Sequence, residues 1–536
     1  MSKRNKSKKY KKIVTRSKFW PIVKLFENRK KFMSDVSIKS QKKIISKVND
    51  ENLYDEIVNT LYKEKLRISN ISWKADPRDD KKFWYDIKDK ILKFKEDKYN
   101  SEIRKKLLPL IINRYTIEIT GNFRRSHYSF ARRLIISFLA RLLNTARLRN
   151  PFGNLNLDST INIVGKKKQL RKLSKIGTIV LVPTHFSHLD SALIGWIISH
   201  LGLPAFMYGA GLVLYNMKIF AYFFNSLGAY KVDRRKKHLL YLETLKTYTE
   251  EAIINGCHNL FYPGGTRSRS GSIEKNLKLG LLGSTLEAQK ELESKGKKIF
   301  IVPVTFSYQF VLESPALINQ YLSKNTNDDQ HLKDLGYSNT YKILTFLIKY
   351  FTQSNSIAVS FGSPLDVFGN RVNNNGDKIE DNNLSFLKNN KSEILNKLSD
   401  KIIEELMRGT VVFPSLLMAF VAFEIIQKRF IKMDINSLLY LPEDELCIEI
   451  NYFKKYYKKA NDYIQEISDH KRIKKSPDLE LPLEKQIKIG CKNLGLYHAV
   501  KPLKLSENQL KIKNFKMLYY YRNRLEGYGI KKKILL

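Results

Sequence analysis

Thr178-Ile179-Val180-Leu181-Val182-Pro183-Thr184-His185-Phe186-Ser187-His188-Leu189-Asp190 is the stretch on which the reading of the fold turns. Thr178–Val182 is a short apolar run of the kind a buried strand uses, and Pro183 closes it. A strand ending there leaves His185 in a turn and Asp190 in the first turn of a following helix, where the two side chains can converge. On one uninterrupted helix, five steps of about 100° would put them on different faces. The spacing therefore predicts a strand–turn–helix site that sets an imidazole beside a carboxylate. Such a carboxylate fixes the ring tautomer and supports its positive charge while the other nitrogen takes a proton from a hydroxyl. Polar residues that merely open a helix give the same spacing, so the pair gains meaning only from its surroundings.

Those surroundings read as an α/β protein. Ile161–Val164, Thr178–Val182, Asn259–Tyr262, Ile299–Phe306 and Ile357–Phe361 are short apolar runs separated by helical stretches such as Leu239–Asn255. This alternation predicts a mixed, largely parallel sheet flanked by helices over residues 126–365. Residues 1–125 read as a basic helical region with turn signals around Ser69–Asp80. Residues 366–392, rich in Asn and Asp, read as a polar linker or insertion. Residues 393–536 read as a C-terminal helical region, with helices expected over Ser392–Leu406, Val411–Arg429 and Leu446–Lys471.

Two further segments carry charge at the ends of predicted strands. Gly228-Ala229-Tyr230-Lys231-Val232-Asp233-Arg234-Arg235 is extended and ends in Asp-Arg-Arg. Phe261-Tyr262-Pro263-Gly264-Gly265-Thr266-Arg267-Ser268-Arg269-Ser270-Gly271 runs from a strand into a Gly/Ser/Arg turn, with Lys278 close behind. Small residues let backbone N–H groups approach an anion, and guanidinium groups grip phosphate oxygens in pairs. The two segments together predict a basic pocket the size of a phosphomonoester. Neither a P-loop nor a dinucleotide fingerprint is present, so the glycines do not indicate a nucleotide site. Ile301-Val302-Pro303-Val304-Thr305-Phe306-Ser307-Tyr308 is an apolar strand, equally readable as plain core.

The chain of 536 residues carries 96 basic against 52 acidic residues, a formal charge of +44. Residues 1–50 hold 17 Lys/Arg and three acids, a net of +14, and no acid falls between Glu118 and Asp158. In that second window Phe130, Leu134, Ile135, Phe138 and Leu142 repeat at helical spacing among Arg132, Arg133, Arg141, Arg147 and Arg149, which suits either an interfacial helix or an ordinary core-facing one. Such charge attracts polyanions, whether nucleic acid, anionic lipid headgroups or acidic protein, and does not by itself choose among them; anionic membrane lipids are the expected partners and no specific nucleic acid is expected. Val411–Ile426, interrupted by Pro414 and Glu424, falls short of the roughly 20 apolar residues of a membrane span, and Gly209–Tyr230 is broken by Lys218. A peripheral protein at the cytoplasmic face of the membrane is the expectation. The first residues lack a secretory h-region, and three scattered cysteines, Cys257, Cys447 and Cys491, fit a reducing compartment.

The four segments, in this order, resemble the motifs of the glycerolipid acyltransferase superfamily, and most closely the glycerol-3-phosphate acyltransferases. His185…Asp190 is similar to the family's His-x4-Asp element, Gly228–Arg235 to its second motif, Gly264–Gly271 to its Glu-Gly-(Thr/Gly)-Arg-Ser-Arg motif, and Val302–Val304 to its Val-Pro-Val strand. The resemblance spans residues 126–430. It implies that His185 is a general base oriented by Asp190 and that Arg234, Arg235, Arg267, Arg269 and Lys278 hold the acceptor's phosphate. It implies further that Gly264, Gly265, Thr266 and Ser268 shape the motif backbone, and that Val302, Pro303 and Val304 wall the acyl site. The implied reaction moves an acyl group from acyl-CoA or acyl carrier protein to the sn-1 hydroxyl of glycerol 3-phosphate, with no metal and no cofactor. Two positions depart from the pattern: Gly264 stands where the family has glutamate, and Gln309 where larger relatives carry an acid.

Other readings rest on less. The second acylation step, onto 1-acylglycerol 3-phosphate, uses the same motifs. A basic membrane- or nucleic-acid-binding scaffold with a decayed acyltransferase domain is kept open by Gly264. Ser187 as a hydrolase nucleophile lacks a G-x-S-x-G elbow, Cys257 sits in an ordinary helix-to-strand turn, and His185, His188 and Asp190 lack further His or Cys partners at metal-ligand spacing.

Overall fold

The structure is a computed structural model that describes residues 10–70, 72–93, 103–143, 161–216, 218–324, 357–379, 390–442, 444–496 and 498–535. Seven strands form the central sheet: β1 (Ile161–Gly165), β2 (Gly177–Pro183), β3 (Met207–Gly211), β4 (Ala229–Val232), β5 (Asn259–Leu260), β6 (Lys298–Tyr308) and β7 (Ile357–Phe361). Their spatial order is β1-β7-β6-β2-β5-β3-β4. Every neighbouring pair is parallel except β6 with β7.

This register decides where the site lies. β2, β4, β5 and β6 all point the same way, so the segments that follow them emerge at one edge of the sheet, the carboxyl edge at which open α/β sheets bind ligands. Both faces of the sheet are covered, which is why β2 reads as an unbroken apolar run. Ile179 and Leu181 enter one core with Phe300, Val302 and the C-terminal helices, while Val180 and Val182 enter the other with Ile299, Ile301, Leu282 and Leu398.

The N-terminal region is helical, as its sequence predicts, and is dominated by Arg29–Asn70, with Asp80–Leu92 and Leu108–Ile119 packed on it. Its basic charge is partly spent inside the protein. Lys39 bonds Glu251 at 2.5 Å and Glu291 at 2.6 Å, Lys43 pairs with Glu250, and Lys47 meets Glu243 at 2.6 Å. These carboxylates lie on the Leu239–Ile254 and Leu279–Glu293 helices, so the arm is anchored electrostatically to the flank of the central sheet.

At the C-terminus the helices Lys391–Gly409, Pro414–Arg429 and Ile450–Asp469 match expectation. Val411–Val412 is instead a strand pairing Lys474–Lys475, and a small antiparallel sheet joins Cys447–Glu449, Gln509–Ile512 and Leu503–Leu505. Pro414–Ile426 is wholly buried, with Pro414 at the first helical position, where its missing N–H is harmless. No helix of the described residues is long and apolar enough to cross a membrane. Of the expected linker, 366–379 is a packed loop in which Val367 and Val372 are buried and Gly376 abuts Phe300, while Asn390 caps the helix Lys391–Gly409, which takes in the last two residues. Residues 380–389 lie outside the described residues.

Candidate active site

β2 ends at Pro183, and the turn that follows is stapled to β6. Thr184 N–H donates to the Val304 carbonyl at 2.9 Å, and Thr184 Oγ1 accepts from Phe306 N–H at 3.0 Å. The helix Leu189–His200 then opens with Asp190 in its first turn. His185 Nδ1 lies 2.9 Å from Asp190 Oδ2. An ionised carboxylate only accepts, so Nδ1 carries the proton and Nε2 is left free to take one. Asp190 is fully buried, and its Oδ2 also accepts from Phe186 N–H at 2.7 Å and Ser187 N–H at 2.9 Å. Tyr308 Oη donates to Oδ1. The ring of His185 stacks on Tyr262 with centroids 4.0 Å apart, which fixes its plane.

The Gly/Ser/Arg turn folds back over this dyad. Ser268 N–H donates to the His185 carbonyl at 2.8 Å, and Lys278 N–H donates to the Pro263 carbonyl at 2.8 Å. Gly265 takes φ +76°, a left-handed conformation that glycine adopts without penalty, and the Lys278 side chain passes directly over it. Gly271, at φ +85°, lies so close to the Tyr520 carbonyl that no side chain fits there. Arg267 reaches Glu313 at 3.4 Å. Arg234 comes near enough to Arg267 and Arg269 that burial of its guanidinium, and then their charges, lower its pKa. The three positive charges thus act on one region of the protein, which an anion such as a phosphate would stabilise. The cleft along Thr266, Arg267, Ser268 and Arg269 holds about 540 Å³.

Arg235 is placed elsewhere. It bonds Asp233 and Asp76 and stacks on the Trp73 ring with its guanidinium carbon 3.8 Å from the centroid. Val302 and Val304 are buried in the middle of β6, facing the core shared with the C-terminal helices, and Pro303 backs onto Gly362. The apolar pocket beside the dyad has other walls: Tyr128, Arg132, Ile194, Trp196, Phe206 and Tyr262. Gln309 is buried and accepts from Ser415 Oγ at 3.2 Å.

Sequence reasoning missed several residues. Glu313 accepts from His188 N–H at 2.8 Å and from Ser187 Oγ at 3.1 Å while pairing with Arg267. It thus occupies Ser187 and supplies an acid a few residues beyond Gln309. Arg524, from the far end of the chain, lies 3.1 Å from the centroid of the Phe186 ring and donates to the Gly271 carbonyl at 2.9 Å. Asn523 donates to the Ser270 carbonyl at 2.9 Å. The C-terminal region therefore clamps the motif turn. Cys257 is buried, and that burial pushes its thiol pKa up, away from a nucleophilic thiolate.

The family model described as Acyltransferase matches residues 164–307, the span from β1 through β6. The glycerol-3-phosphate acyltransferase of Alteromonas mediterranea is 27% identical over 221 residues, covering 41% of this chain and 25% of its own length. Its counterpart in Baumannia cicadellinicola is 33% identical over 148 residues, 27% of this chain and 18% of its own length. That of Haemophilus influenzae is 34% identical over 152 residues, 28% and 18% respectively. The chain spans a quarter or less of the length of these relatives.

Proposed function

We propose that this chain, which carries an acyltransferase domain over residues 164–307, transfers a fatty acyl group from a thioester donor, acyl-CoA or acyl carrier protein, to the sn-1 hydroxyl of glycerol 3-phosphate. The observation that supports the reading is that the arginine-bearing turn is bonded to the oriented His185–Asp190 dyad, Ser268 N–H donating to the His185 carbonyl, so that Arg267 and Arg269 flank the residue bonded to the dyad. The names of the matched relatives agree with it.

His185 Nε2 takes the proton of the acceptor hydroxyl as its oxygen attacks the thioester carbonyl, and Asp190 supports the imidazolium that forms. The tetrahedral intermediate collapses with cleavage of the C–S bond. The departing thiolate takes the proton back from His185, so the ester, the free thiol and the neutral ring result. Arg234, Arg267, Arg269 and Lys278 hold the phosphate and so fix the distance from hydroxyl to base, which is worth several kcal/mol of barrier. The apolar pocket lined by Trp196 and Phe206 is suited to the acyl chain. Residues 126–365 form the catalytic unit of this reading, with the N- and C-terminal regions packed onto it.

The product is an amphiphile, and the surface next to the pocket suits a peripheral stay on the cytoplasmic face of an anionic membrane. The helix Arg125–Leu143 presents Phe130 at 52% and Leu134 at 42% exposure beside exposed Arg133, while Tyr128 and Arg132 of the same helix line the pocket. Arg147 and Arg149 lie outside the described residues. The test is thioester-dependent acylation with glycerol 3-phosphate and its 1-acyl derivative offered separately: transfer to the first supports the assignment, and transfer to the second alone moves the enzyme to the next acylation step.

A further inference from the structure

Gly264 does not owe its identity to backbone conformation. Its φ is not among the positive ones, unlike that of neighbouring Gly265. What excludes a side chain there is Glu274: a Cβ on Gly264 would lie 2.7 Å from both Glu274 Cγ and Oε1. The carboxyl of Glu274 therefore fills the space above the motif turn that a residue at 264 would otherwise enter. Its Oε1 is buried and has no hydrogen-bond partner among the described residues. Glu274 lines the same cleft as Arg267 and Arg269, and is close enough to Asp190 and Arg524 to feel both charges. Burial pushes its carboxyl up to about 7, with Arg524 opposing and Asp190 adding. A buried carboxylate oxygen without a partner costs free energy unless something that visits the site satisfies it.

We propose that Glu274 is a specificity-determining residue whose carboxylate accepts a hydrogen bond from the acceptor's second, non-reacting hydroxyl. This rests on the acyl-transfer reading above. The arginines hold the phosphate, His185 takes the proton of the reacting hydroxyl, and Glu274 holds the hydroxyl between them. A polyol phosphate is thereby distinguished from a simple alkanol phosphate.

The test compares glycerol 3-phosphate with 3-hydroxypropyl phosphate, which lacks the middle hydroxyl, by kcat/KM, alongside donor hydrolysis without acceptor. Wild type is expected to prefer glycerol 3-phosphate by about tenfold or more, because a site built to bond a hydroxyl rejects an analogue lacking it. Glu274→Ala, which removes the accepting oxygen, should shrink the preference to about twofold or less by lowering kcat/KM for glycerol 3-phosphate more than for 3-hydroxypropyl phosphate. Gly264→Glu combined with Glu274→Ala returns a carboxylate to the same space and should restore the preference, whereas Gly264→Glu alone crowds two carboxyls together and should lower acceptor kcat/KM. An active wild type whose preference is absent, or survives unchanged in Glu274→Ala, overturns the assignment of Glu274 alone. So does an active double variant without preference. A wild type inert toward both acceptors overturns the acyl-transfer reading and the role of Glu274 with it.

Discussion

Replacing Asp190 separates its structural role from its chemical one. Its carboxylate accepts from His185 Nδ1, Phe186 N–H, Ser187 N–H and Tyr308 Oη in a fully buried setting. Asp190→Ala strands these donors. Counting only the two backbone N–H groups, at about 1–3 kcal/mol for each buried unsatisfied group, the loss of stability is about 2–6 kcal/mol. Asp190→Asn behaves differently, because three N–H donors converge on the Oδ2 position and would repel the amide NH2. The amide oxygen therefore takes that position and the NH2 turns to Tyr308, whose hydroxyl can accept. The tautomer of His185 survives, and what is lost is the negative charge beside the imidazolium. We expect turnover to fall about a hundredfold, or ~2.7 kcal/mol, with a stability cost of only ~1 kcal/mol. A fall of about ten-thousandfold would instead mark a misplaced tautomer. Initial rates of thiol release and urea unfolding of both variants check this. Near-normal turnover of Asp190→Asn, or equal stability of the Ala and Asn variants, would refute the reasoning.

Arg267→Ala should raise the KM for glycerol 3-phosphate about 10- to 100-fold, as loss of a charge-assisted bond of ~1.5–3 kcal/mol requires, while thioester hydrolysis without acceptor changes little; a shift confined to the donor's constants would misplace the phosphate site. Arg235→Ala should act on folding, lowering stability by about 3 kcal/mol because it leaves Asp76 and Asp233 short of their shared cation, with acceptor KM unchanged in the protein that remains folded. Glu64 is buried among His238, Lys236 and Arg67; burial raises its pKa, but these partners together outweigh burial and hold it below the ordinary range. Its contribution is present above the unfolded-state value of about 4.3 and is lost as pH falls below it, so Glu64→Gln should cost about 3 kcal/mol at pH 7 and progressively less in acid, as read from denaturant midpoints across pH.

The parts of this molecule legible in its sequence are those written locally. β2 and the turn after it follow from an unbroken apolar run closed by Pro183, and the dyad follows from that strand–turn–helix placement read together with the charged segments downstream. β3 was harder to read, since Met207–Gly211 contains two glycines and runs into a longer apolar stretch. Arg234 and Arg235 are adjacent, and nothing local distinguishes the one that joins the arginine cluster from the one consumed by Asp76, which lies far up the chain. Glu274, Glu313 and Arg524 were invisible because their roles depend on where helices and the C-terminal segment return to the sheet edge. Gly264 shows the point most clearly: as sequence it is a missing carboxylate, and in space the gap is filled by Glu274.

The central claim is most directly tested by following free thiol and acylated product together, with purified wild type and His185→Ala, in the presence and absence of glycerol 3-phosphate. The expected result is acceptor-dependent thiol release matched one-for-one by acylated product in wild type, reduced at least about a hundredfold in a folded His185→Ala protein. A wild type inert toward the acceptor, or a His185→Ala variant that keeps near-normal transfer, would contradict it.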